Sequence, residues 1–139
     1  HLKNFGEERG SQISPVKDAV DLKMKYTFHQ DTPVVPPDMM RTISTAVNRV
    51  SKTGQRIGKN QCVSVLDALK AVTSYAAYQY SEENEKGTIE EGKYADFVVL
   101  DKNPLETEKE KLSDIKVVMT IKENKVIYKS GDNENESEK

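Results

Sequence analysis

Apolar positions along this chain fall into short stripes, each with its own period, separated by polar and proline-rich stretches. Val16, Ala19 and Val20 share one helical face, and Ser14-Pro15 reads as an N-cap followed by proline at the first helical position. That predicts a short helix ending near Leu22. From Lys25 to His29 the period changes to two, with Tyr26 and Phe28 on one side, as in a short strand. Pro33, Pro36 and Pro37 keep the next stretch extended. A helix then starts near Asp38, because Met40, Ile43, Val47 and Val50 step by three and four residues. Gly54 and Gly58 bracket a loop. Ser64 with Asp67 three residues on is a capping-box pattern, opening a helix striped by Val65, Leu69, Val72 and Ala76 that ends near Tyr80.

Beyond a polar linker at 81–86, the pattern turns to strand chemistry. Phe97 to Leu100 is a continuous apolar run, which predicts a well-buried strand. Ile115 to Ile121 and Lys125 to Tyr128 read as two further strands. Glu123-Asn124 joins them in a tight turn that needs positive φ, which asparagine tolerates. The order of helix, strand, two helices and three strands closes neither a barrel nor a sandwich.

Composition sharpens this picture. The apolar content is 35%, about 40% with the seven glycines, below the roughly 45–50% of ordinary globular domains. Charged residues make up 32%, so the chain is expected to be loosely built or to bury its apolar stripes against surfaces beyond it, on a second copy or on its own three-stranded sheet. A net charge of -2 with no Lys/Arg cluster argues against nucleic acid as a partner. No apolar run approaches the roughly 20 residues of a membrane span, and no signal peptide is visible. Cys62 is the sole cysteine, which excludes an internal disulfide and favours a cytoplasmic setting.

Two motifs carry a resemblance. Gly92-Lys93-Tyr94-Ala95-Asp96-Phe97-Val98-Val99-Leu100-Asp101 resembles the strand that closes the C-terminal β-sandwich of metal-dependent amidohydrolases. His29-Gln30-Asp31-Thr32-Pro33-Val34 resembles the end of the eighth barrel strand in their D-aminoacylase-like branch. Gly6-Glu7-Glu8-Arg9 and Ala46-Val47-Asn48-Arg49 are similar to further segments of that branch. The resemblance implies an α/β fold class. Residues 1–86 would be the last strand and flanking helices of a TIM-barrel amidohydrolase. Residues 87–130 would be strands of its small β-sandwich domain, and 131–139 a disordered acidic tail.

The implied activity of the parent enzyme is hydrolysis of an amide or another non-peptide C–N bond. It would use a divalent metal, zinc first, with the rest of the barrel as the chain's partner and a small-molecule amide as substrate. In the family the aspartate matching Asp31 moves the proton from water to the leaving amine and contacts the metal region. A carboxylate just past a barrel strand lies on the face where such barrels build their sites. The plainer reading makes Asp31 a turn cap. His29, two residues earlier, projects to the same side and is a candidate substrate contact, or simply a polar histidine. Asn48 and Arg49 are candidate substrate-lining residues, or part of a solvated helix face. Asp96 and Asp101, which flank the Phe97–Leu100 strand, read as strand-end hydrogen-bond acceptors.

The family's other metal ligands match no residue here, and His1, His29 and Cys62 are too scattered to form a site. The isolated chain is therefore expected to hold no catalytic metal and to be inactive. The alternative is a non-catalytic folding or protein-interaction domain.

Overall fold

The computed structural model describes residues 2–131. The acidic tail expected from 131 lies, Gly131 apart, outside the described residues, as does His1. Among the described residues are five α-helices and a three-stranded antiparallel sheet: α1 (Leu2–Ser11), α2 (Val16–Asp21), α3 (Met39–Asn48), α4 (Val65–Val72), α5 (Ser74–Gln79), β1 (Phe97–Leu100), β2 (Val117–Lys122) and β3 (Lys125–Lys129). Two 3-10 turns, Lys59–Gln61 and Lys109–Asp114, accompany them. An α/β assembly with helices first and strands last agrees with the sequence. Helix α1 is an addition. Its sequence is polar and Gly6 interrupts it at φ 76°, so no apolar stripe announces it.

The core gathers around α3. Met40, Ile43, Ala46 and Val47 are buried on one face and meet Val63, Ala68, Leu112 and Ile115. Asp38 caps this helix by accepting from the Arg41 N–H at 3.0 Å. Leu112 of the 3-10 turn at Lys109–Asp114 covers it, and Leu100 at the end of β1 packs against it from the sheet. Leu112 is fully buried, and Ile115, expected to begin a strand, turns into the helical core instead. Val50 lies past the C-cap Arg49 and pairs with Arg56 in an isolated bridge, so it leaves the predicted stripe.

The Ser64–Asp67 cap is present: Ser64 Oγ accepts from the Asp67 N–H at 3.1 Å and donates to Asp67 Oδ2 at 2.6 Å. The single helix expected from Ser64 to Tyr80 is broken at Thr73, whose φ of -127° and ψ of -94° divide it into α4 and α5. At α2 the expected Ser14 cap is absent. Ser14 itself sits at φ 50°, and the cap position falls to Pro15, with no side-chain bond from it.

The segment Lys25–His29 forms no strand. No neighbouring strand offers it a ladder among the described residues, and a strand's backbone groups need one. Tyr26 packs edge-on against Tyr75 and tilted against Phe28, while Lys25 Nζ sits 3.5 Å above the Tyr78 ring. The segment is thus held against α5 by side chains.

In the sheet, Phe97 pairs with Ile121 and Leu100 with Val117, while Met119 pairs with Lys129 and Lys122 with Lys125. Glu123 and Asn124 both take positive φ, 48° and 62°, as the tight turn requires. Asp96 Oδ1 accepts from the Glu123 N–H at 2.8 Å, and Asp101 Oδ1 from the Lys116 N–H at 2.8 Å. Both carboxylates are therefore strand-end acceptors, as read from the sequence. The burial of β1 needs correction. Only Phe97 and Leu100 are half-buried, while Val98 is 58% exposed, because no helix or second sheet covers that face among the described residues.

Candidate functional site

The stretch from His29 to Thr42 forms one hydrogen-bonded corner. Asp31 opens a turn at φ 54°, a left-handed conformation that aspartate visits more readily than most residues. Its C=O accepts from the Val34 N–H at 2.8 Å, and its own N–H donates to His29 Nδ1 at 3.2 Å. That bond makes Nδ1 the acceptor, so the neutral ring carries its proton on Nε2. Gln30 Nε2 reaches across to the first turn of α3, donating to Asp38 O at 2.8 Å and to Thr42 Oγ1 at 2.5 Å. Thr32 Oγ1 donates to Val35 O at 3.1 Å, which tightens the same loop. The Asp31 side chain is exposed and, among the described residues, its carboxylate has no hydrogen-bond or ion-pair partner. His29, but not Asp31, also lines an open groove of about 240 Å³, bounded by Phe28, Met39, Val72, Ala76 and Tyr80 among others.

His29 and Asp31 are thus brought together, whereas Asn48 and Arg49 are not part of the corner. Asp31 precedes the N-terminus of α3 and Asn48 closes its C-terminus; ten helical residues separate those ends by roughly 15 Å. Asn48 is buried, and its Nδ2 donates to Lys109 O at 2.6 Å and to Ser44 Oγ at 3.3 Å. It ties α3 to the turn that covers it. Arg49, at φ 52°, donates from Nε to Ile57 O at 2.7 Å, from Nη1 to Ser14 O at 3.0 Å and from Nη2 to Ile13 O at 2.7 Å. Burial lowers its pKa, partly opposed by nearby Cys62. The guanidinium braces two backbone segments, 13–14 and 57, against the end of α3. Gly58 lies close by: a Cβ there would meet Ser11 O at 1.9 Å and Arg49 Nη2 at 3.2 Å.

Sequence reasoning did not single out Gln30, Thr42 or Gln61. Gln30 was inside a motif, but its partners sit eight and twelve residues on, and no periodicity announces such a clamp.

Among the described residues, no three His, Cys, Asp or Glu side chains are grouped so that they could hold a metal ion. His29 and Asp31 do not by themselves make a ligand set, since zinc takes three or four protein ligands. No helix is long and apolar enough to cross a membrane among the described residues.

A chain with a carboxylate at such a corner and a sandwich-like strand motif downstream fits the hydrolases its motifs resemble. The Amidohydrolase family model matches residues 2–128, and the chain belongs to that family. It is 29% identical over 130 residues to YtcJ of Bacillus subtilis (strain 168), a protein named as an amidohydrolase; the match covers 91% of this chain and 25% of that one. It is 28% identical over 120 residues to the N-substituted formamide deformylase of Arthrobacter pascens, covering 86% of this chain and 20% of that one. The chain therefore spans a fifth to a quarter of the length of these relatives. No solved structure matches it.

Proposed function

We propose that this chain is the C-terminal part of an amidohydrolase that cleaves an amide or another non-peptide C–N bond, with Asp31 as its acid/base. The observation that carries the reading is the corner itself: an exposed, unpartnered carboxylate whose backbone is fixed on both sides, in a chain of the Amidohydrolase family. In the reaction, water adds to the carbonyl carbon while the Asp31 carboxylate takes its proton. The same proton then passes to the leaving nitrogen as the C–N bond breaks, giving an acid and an amine. A group in this role must come within hydrogen-bonding reach of the proton it moves, and an exposed, unpartnered side chain can do so. His29 would face the substrate from the same corner. Asn48 and Arg49 would act on it only through the packing of α3.

The reading assigns a divalent metal, zinc first, to the intact enzyme. The described residues do not fit a metal alone, so the isolated chain is taken to be inactive. Its partner is the remainder of the barrel, and a cytoplasmic setting goes with the lone Cys62. N-substituted formamides are the first substrates to try, given what one relative is named for.

The test is to assay the whole natural polypeptide that carries these residues, and the 139-residue chain, for amine release from N-alkyl and N-aryl formamides and simple amides. Metal content is measured alongside. The expected outcome is turnover and bound metal in the whole polypeptide and neither in the chain alone. A whole polypeptide that carries no further barrel strands and turns over nothing would instead favour the interaction-domain reading.

A further inference from the structure

We infer that Gln30 is a positioning residue for Asp31, clamping the aspartate's turn to the first turn of α3 through Asp38 and Thr42. The inference rests on the reading of Asp31 as the acid/base, and goes beyond it in naming what fixes that carboxylate in place.

The geometry is specific. The Gln30 amide has two N–H donors, and Nε2 makes two bonds, to Asp38 O at 2.8 Å and Thr42 Oγ1 at 2.5 Å. Thr42 Oγ1 in turn donates to Asp38 O at 2.9 Å, so the hydroxyl can accept from Gln30 while its own proton is engaged. The three groups close a small ring of hydrogen bonds across the mouth of the 31–37 loop. Asp38 is itself the N-cap of α3, so the clamp fastens the loop to the helix whose buried face anchors the core. On the other side His29 Nδ1 holds the Asp31 N–H. Asp31 sits between these two fastenings on a left-handed backbone. In a loop with three prolines and one exposed carboxylate only Val35 is even half-buried, so these bonds do much to set where the carboxylate points. Catalysis is sensitive to such placement: a shift of the order of 1 Å can cost about a hundredfold.

The test uses the whole amide-hydrolysing polypeptide. Gln30→Leu keeps bulk and removes both donors; it should lower kcat by about tenfold to a hundredfold, with KM and melting midpoint nearly unchanged. Thr42→Val removes one of the two acceptors and should cost less. Combined with Gln30→Leu it should add little, because both changes cut the same bond. Thr42→Ser keeps the hydroxyl and should restore turnover. Hydrogen exchange over 30–35 should quicken in Gln30→Leu. A purely structural Gln30 would lower the melting midpoint and leave kcat alone. Near-normal kcat or unchanged exchange in Gln30→Leu, in an enzyme that Asp31→Asn silences, would overturn the inference and leave the acid/base reading standing. Normal turnover in Asp31→Asn would remove the acid/base reading itself.

Discussion

Two backbone N–H groups in the first turn of α2, those of Lys17 and Asp18, meet one side-chain oxygen, Gln61 Oε1, at 3.0 and 3.3 Å. Gln61 Nε2 returns a bond to Asp18 Oδ1 at 2.7 Å. A helix leaves its first N–H groups without intrahelical partners, and here a residue more than forty positions away supplies the acceptor. Gln61 is only 2% exposed, so Gln61→Leu should remove the acceptor of both donors and cost about 1–2 kcal/mol in chemical denaturation. A neutral result would show that water replaces the cap. Tyr26 gives a second check at this scale. Burial, helped by the charge of Asp67, pushes its pKa up to about 12 from an ordinary value near 10. The folded state then keeps this proton where the unfolded state loses it. The Tyr26 contribution is full below pH of about 10 and is lost as pH rises through about 12. Tyr26→Phe should flatten that alkaline loss in urea midpoints; an unchanged pH profile would contradict it. The Ser64 cap, made within its own turn, was legible in the sequence, whereas the Ser14 cap read the same way is absent. Gln61 was not legible, because its partners are set by tertiary folding.

Among the elements, the 3-10 turn at Lys109–Asp114 matters more than its length implies. Leu112 is fully buried against α3 and Asn48 binds the turn's first carbonyl. Leu112→Ala should cost about 2–5 kcal/mol. Ile127→Ala on β3, where the side chain is 62% exposed, should stay within about 0.5 kcal/mol. Equal losses at the two sites would mean that the sheet face is covered in solution. Asp96→Ala should loosen the β2–β3 turn by about 1 kcal/mol through the lost bond to the Glu123 N–H, without reaching the Asp31 corner. The helices α2, α3 and α4 and the hairpin were readable because local period and turn chemistry specify them. The strand expected at Lys25–His29 and the buried β1 were not. Both readings assumed neighbours that the described residues do not supply, and alternation alone cannot say whether a strand has a partner.

For the molecule as a whole, membership of the Amidohydrolase family was legible from two motifs, and the family match over 2–128 bears it out. The candidate site was legible only in part. The sequence pointed to Asp31 with His29, and the structure places them in contact. Asn48 and Arg49, lesser candidates for lining a substrate or for a solvated helix face, bind the chain's own backbone with their side chains; an Asn-Arg pair at a helix end reads the same whether it faces a ligand or a neighbouring loop. Chain coverage of a fifth to a quarter of the relatives makes the remaining polypeptide part of the proposed enzyme. The central claim is that Asp31 moves the proton. The most direct measurement is kcat for amide hydrolysis by the whole polypeptide with Asp31 and with Asp31→Asn, taken with their melting midpoints. Asparagine keeps the shape and an oxygen but cannot take up the proton. The account predicts a fall in kcat of at least about a hundredfold at a nearly unchanged midpoint. Near-normal turnover in Asp31→Asn would contradict it and leave Asp31 as the cap of its turn.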